Sequence, residues 1–239
     1  AVLGAFAGVA SAQSSVTLFG IVDLNLRQVK NGSNDAAKSM SQDGINSSRL
    51  GFRGVEDLGG GMSAGFWLEG ALAPDVGTSG GQTWQRRSTI SLLGRFGEVR
   101  LGRDYTPSFW NATIFDPFGT NGAGNFGNIV NSTQGTTSGT FVRANNSVGY
   151  FLPGNIGGLY GQVMVAAPEG TPGNDYTGFR LGWAGGPVNV AFSAGSTDTV
   201  PTKLTHNSVA GSWNFGFMTL MAQWHEFKAG SIKANPILI

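Results

Sequence analysis

From Ser15 onward, hydrophobic and polar residues alternate. Val16, Leu18, Val22, Leu24 and Leu26 fall on one face with Gly20, and Thr17, Asp23, Asn25 and Arg27 fall on the other with Phe19 and Ile21. A period of two over about a dozen residues predicts one long β-strand. The pattern recurs: Leu50 and Phe52 against Arg49 and Arg53, Phe66 and Leu68 against Trp67 and Glu69, Val99 and Leu101 against Glu98 and Arg100. Further on, Val148 and Tyr150, Phe179 and Leu181, Val190 and Phe192, and Leu220 and Trp224 carry the same alternation. About eleven strands result, each of roughly the ten residues that cross a bilayer at a tilt.

The connections alternate as well. Residues 57–61, 94–97, 153–158, 184–187 and 214–216 are short and glycine-rich; residues 29–46, 73–83, 105–141, 168–174 and 197–204 are longer and polar. Short turns at one end and long loops at the other belong to transmembrane barrels. One face carries Arg, Asp, Glu, Ser and Thr, and the other Leu, Phe, Val and Trp with almost no charge. Such strands need lipid on one side and a wet interior on the other, and backbone pairing around a ring leaves no unsatisfied edge in the lipid. The fold class is therefore an all-β transmembrane antiparallel barrel. The competing fold, a soluble sandwich, would have shorter strands and a more charged outer face.

Composition narrows the function. Of 239 residues only 29 are charged, 12% against about 25% in ordinary domains, and the net charge is +1. There is no basic footprint for nucleic acid. With no cysteine, thiolate metal sites and cysteine nucleophiles are excluded. His206 and His225 have no nucleophile or short ligand spacing beside them and read as wall residues. The glycines at 59–61 lack the Lys-Ser/Thr ending of a phosphate loop and read as a strand turn. Trp183, Trp213 and Trp224 suit an interfacial girdle better than sugar stacking, whereas Trp67 lies on the polar face. No cofactor and no enzymatic activity are expected. Residues 1–12 (AVLGAFAGVASA) read as the remnant of an export signal, with residues 13–239 as the barrel. Because bacterial single-chain barrels have an even strand number, the text after Gly230 predicts an incomplete ring with two open edges.

Four runs carry a family resemblance: SSVTLFGIVDLNL (14–26), SSRLGFRGVEDLGGGMSAGFWLEG (47–70), RRSTISLLGRFGEVRLGRD (86–104) and RANNSVGYFLP (143–153). They resemble the general diffusion porins of Gram-negative outer membranes, in their β-proteobacterial form. The resemblance implies a sixteen-stranded barrel, a homotrimer in the lipid bilayer, and passive passage of small hydrophilic solutes and ions. It also implies that the third external loop, here residues 105–141, folds inward. Loops of that length without a periodic pattern are usually functional or disordered, and Asp116 with Phe109, Trp110, Phe115 and Phe118 are candidates to anchor it.

Strand parity puts Arg49, Arg53 and Glu69 on the wet face. Parity with Thr89 and Ser91 favours Arg87, whereas the family's constriction arginine matches Arg86; both stay open. The resemblance makes Arg49, Arg86 or Arg87, and Arg143 the basic side of a constriction. Glu69, Asp104 and Asp116 are candidates for the acidic side. Arginine clusters favour anions, unless carboxylates neutralise them. Two other functions fit the pattern: a plugged barrel acting as adhesin or enzyme, and a secreted sugar-binding β domain.

Overall fold

A computed structural model describes residues 15–78, 83–128, 140–170, 175–198 and 202–239. The export-signal reading falls on residues 1–12, outside the described residues. The main sheet is antiparallel. It consists of β1 (Ser15–Ile21), β4 (Arg49–Gly59), β5 (Met62–Ala71), β6 (Arg87–Gly94), β7 (Gly97–Tyr105), β8 (Arg143–Phe151), β9 (Leu159–Ala166), β10 (Tyr176–Gly185), β11 (Val188–Asp198), β12 (Lys203–Asn214) and β13 (Thr219–Ala229). Each pairs with the next in that order, and the short β14 (Ile232–Ala234) and β15 (Ile237–Leu238) pair with β13. The eleven long strands match the expected number. The ends of the path, β1 and β14, do not pair, so the sheet forms an unclosed barrel wall.

Register explains the two faces. Leu181, Phe192, Val209 and Trp224 are cross-strand neighbours on one side. One residue earlier or later, Gln162, Arg180, Ser193, Ser208 and His225 form a row on the other. Every member of the polar row is buried, whereas the apolar row is exposed. Leu18 is 62% exposed, Phe52 36% and Leu181 45%, so these residues do not pack together in a core. A soluble sandwich would bury them. The alternation instead presents hydrocarbon outward, as lipid requires.

The expected single strand from Ser15 to Arg27 is not formed. β1 stops at Ile21, and after Val22 and Asp23 a separate hairpin begins, β2 (Leu24–Val29) against β3 (Ala37–Gln42). β3 lies inside the stretch expected to be loop. The break is made by Asp23, whose carboxylate accepts from the N–H groups of Gly44, Ile45 and Asn46 at 2.8–2.9 Å. The Asp23 N–H donates to Ser48 Oγ. A side chain that reads as one more wall position thus diverts the chain into a hairpin. The end of the chain also departs from expectation, since β14 and β15 lie where no strand was anticipated.

The interior is crossed by α1 (Pro107–Ile114), which lies against β9, β10, β11 and β12. It begins where Thr106 Oγ1 accepts from the Phe109 N–H, and Pro107 occupies a first-turn position where a missing N–H costs nothing. Close approach needs a bare wall: a Cβ on Gly195 would collide with the hydroxyls of Tyr176 and Ser108.

Two outcomes check this architecture. Leu181→Arg is expected to cost about 2–4 kcal/mol of folding stability in vesicles if Leu181 lies near the bilayer midplane, measured by denaturant titration; an unchanged midpoint would contradict the lipid-facing assignment. Asp23 lies outside the spanning strands, and hydrogen bonds from Asn46, Ile45 and Gly44 hold its pKa below its ordinary value. The clamp is therefore complete above that ordinary value and weakens as pH falls through the lowered one. Amide protection at Gly44, Ile45 and Asn46 should follow this course, and Asp23→Asn should already lower it at neutral pH.

Candidate functional site, an arginine wall facing an inward loop

The described residues between β7 and β8 bridge the interior. At one end, Asn111 Nδ2 donates to Ser208 Oγ and Arg180 Nε donates to Asn111 Oδ1. Ser108 Oγ lies 2.7 Å from Tyr176 OH. Phe115 packs on Ala191 and Ala210. At the other end, the Gly122 N–H donates to the Asp43 carbonyl and Ser47 Oγ donates to Asn121 Oδ1. The fold-back is organised by Asp116, whose carboxylate accepts from the N–H groups of Phe118, Thr120 and Phe126.

Between this loop and the β4–β8 wall lies a cavity of about 670 Å³. Arg49, Arg86 and Arg143 line it from the wall, and Gly119, Thr120 and Asn121 line it from the loop. The arginines are held in place. Arg86 Nε donates to Glu69 Oε1 at 2.6 Å, and Arg49 Nη1 lies 3.5 Å from the same oxygen. Arg143 Nε donates to the Arg86 carbonyl at 2.7 Å. Tyr105 OH accepts from both Arg86 and Arg143, and the Arg143 guanidinium lies 4.3 Å from the Tyr105 ring centre. No carboxylate stands among the described residues lining the cavity.

A second cavity, of about 360 Å³, is lined by Arg53, Trp67, Arg87, Glu98 and Arg100. The Arg87 guanidinium lies 4.5 Å from the Trp67 ring and that of Arg53 5.2 Å. Asp104 is buried beneath them, 3.7 Å from Arg87 and ion-paired with Arg100. Glu98 also pairs with Arg100, at 2.8 Å. Arg53 makes no ion pair among the described residues.

The sequence-derived set therefore splits. Arg49, Arg86 and Arg143 converge on the larger cavity, with Glu69 behind them. Arg53 and Arg87 belong to the smaller one. Arg86 and Arg87 both face inward, because β6 begins at Arg87 and the alternation rule does not bind the residue before it. Of the acidic candidates, Asp104 is a buried partner of Arg87 and Arg100 and lines neither cavity, and Asp116 is spent on backbone N–H groups as a loop organiser. Sequence reasoning did not single out Tyr105 or Arg100. The inward parity of β7 marks Arg100, whereas nothing local marks Tyr105.

Residues 1–235 match the family model described as Gram-negative porin. The chain is 40% identical over its whole length to outer membrane porin protein 32 of Delftia acidovorans and spans 72% of that protein. It is 32% identical to an outer membrane porin protein of Bordetella pertussis over 81% of this chain and 57% of the relative. Among solved structures, an anion-selective porin from Comamonas acidovorans superposes with a TM-score of 0.84 at 37% identity, covering 94% of this chain and 73% of the other.

Proposed function

The chain belongs to the Gram-negative porins of the outer membrane, and from that premise we propose that it lines a water-filled diffusion channel for small hydrophilic solutes with a preference for anions. The observation that carries the preference is the arginine wall. Three guanidiniums line the 670 Å³ cavity and one carboxylate, Glu69, stands behind them, so three positive charges less one negative leave a surplus of two. The likeness to a structure described as an anion-selective porin supports the same sign.

The mechanism is electrostatic filtering combined with sieving. A narrow aqueous gap with low-dielectric walls focuses the field of a few fixed charges. Arginine stays protonated and offers planar forks that suit carboxylate and phosphate oxygens. A solute must pass between these forks and the loop segment 119–121, and the Asp116 fold-back and the α1 contacts set that spacing. The second cavity extends the basic path along the wall through Arg87 and Arg53. Binding at several weak stations lets an ion enter and still leave. Assembly as a homotrimer and export by a cleaved leader at residues 1–12 belong to the same proposal and rest on family resemblance and composition.

Reversal potentials of the full-length protein in planar bilayers test the filter. The wild type is expected to prefer anions, and Arg49→Gln with Arg143→Gln is expected to lower the anion-to-cation permeability ratio several-fold. Cation preference in the wild type, or no change in the double variant, would overturn it. The second cavity gives a separate readout. Arg53→Gln should lower conductance in about 0.01 M salt, where charges act over about 30 Å, and leave it unchanged in about 1 M salt, where they act over about 3 Å.

A further inference from the structure

The inward loop is tied to the wall by a hydrogen-bonded relay whose polarity can be assigned atom by atom. It starts at the Phe115 carbonyl, which can only accept. Gln223 Nε2 lies 3.3 Å from it, so the amide nitrogen faces the loop and Oε1 faces away. That oxygen also only accepts, and it lies 2.8 Å from His225 Nε2, which must carry a hydrogen. His225 is fully buried and His206 is 5% exposed, and neither makes an ion pair among the described residues. Neutral rings avoid an unpaired buried cation. A neutral His225 with its hydrogen on Nε2 has a bare Nδ1. That atom lies 2.9 Å from His206 Nε2, which therefore donates. His206 is left with a bare Nδ1.

This last atom is buried and has no hydrogen-bond partner among the described residues. His206 also lines a cavity of about 30 Å³, together with Ser108, Phe141, Tyr176, Thr197 and Phe227. By the same measure a water needs roughly 10–15 Å³. The hydroxyls of Ser108 and Tyr176 bond to each other, Tyr176 OH also accepts from the Ser108 N–H, and Thr197 bonds to Thr140, which leaves the Ser108 and Thr197 oxygens each a lone pair for a further donor. A buried acceptor at the head of an otherwise assigned relay, beside a space that admits water, calls for a small hydrogen-bond donor.

We propose that this cavity is a binding site for a water-sized hydrogen-bond donor on His206 Nδ1, and that the relay through His206, His225 and Gln223 to Phe115 is the clasp that positions the inward loop. Both limbs of the loop rest on the same imidazole pair. The Phe126 ring lies 4.4 Å from His225, and the Phe141 ring lies 5.1 Å from His206. Phe227 of the wall packs 4.4 Å from His206. The histidines are positioning residues: His206 lines the space behind the loop, and neither ring lines the arginine cavity.

The test begins with 15N-histidine-labelled protein in detergent micelles, which does not depend on the channel reading. At neutral pH both rings are expected to be neutral with the hydrogen on Nε2. A hydrogen on Nδ1 of either ring would overturn the relay. Magnetisation transfer from a long-lived water to the His206 ring is expected, and its absence would overturn the site. In planar bilayers, His206→Phe keeps an aromatic ring but removes the donor, and is expected to raise open-channel current noise several-fold. His206→Gln retains a donor and an acceptor and should restore the quiet state. Equal noise in the two variants would overturn the clasp, and if His206→Phe fails to fold, the spectra of the unaltered protein decide.

Discussion

Every strand here must pair its backbone with a neighbour, because an unpaired N–H or C=O in hydrocarbon costs several kcal/mol. That pairing fixes register, and register assigns every side chain to lipid or to water. The row Leu181, Phe192, Val209 and Trp224 and the row Arg180, Ser193, Ser208 and His225 are one residue apart. A slip of one position would expose buried polar groups to lipid and turn the apolar belt inward. The lipid-facing belt and the wet wall are thus two readings of a single ladder.

The wet wall is not uniform. On β11 and β12 the wall presents short groups where α1 lies directly on it, Ser193, Gly195 and Ser208. From β4 to β8 it carries Arg49, Arg53, Arg86, Arg87, Arg100 and Arg143, and the loop stands off. The shape of the side chains decides where the loop settles, and what remains open is the charged side. On the proposed reading, selectivity and sieving both follow from one steric asymmetry between the two parts of the sheet.

Period-two alternation made the strands legible because one face is nearly free of charge. It does not reach beyond the strand ends, which is why Arg86 and Arg87 stayed unresolved until the start of β6 was known. Asp23 looked like a wall residue since its three N–H partners lie 21–23 positions away. The eight-residue α1 escaped notice within a long segment, although Thr106 and Pro107 form a recognisable helix start. Asp116 was legible as an anchor but not distinguishable from a lumen charge. The imidazole pair lies 19 residues apart, and only the β12–β13 register brings the rings together.

The segment that narrows the interior also joins opposite parts of the wall, from Ser208 and Tyr176 on one side to Asp43 and Ser47 on the other. Mechanically it is a strut. Contacts that cross the interior in this way oppose any lateral load that would flatten a hollow sheet, so on the proposed reading they also hold the aperture's width.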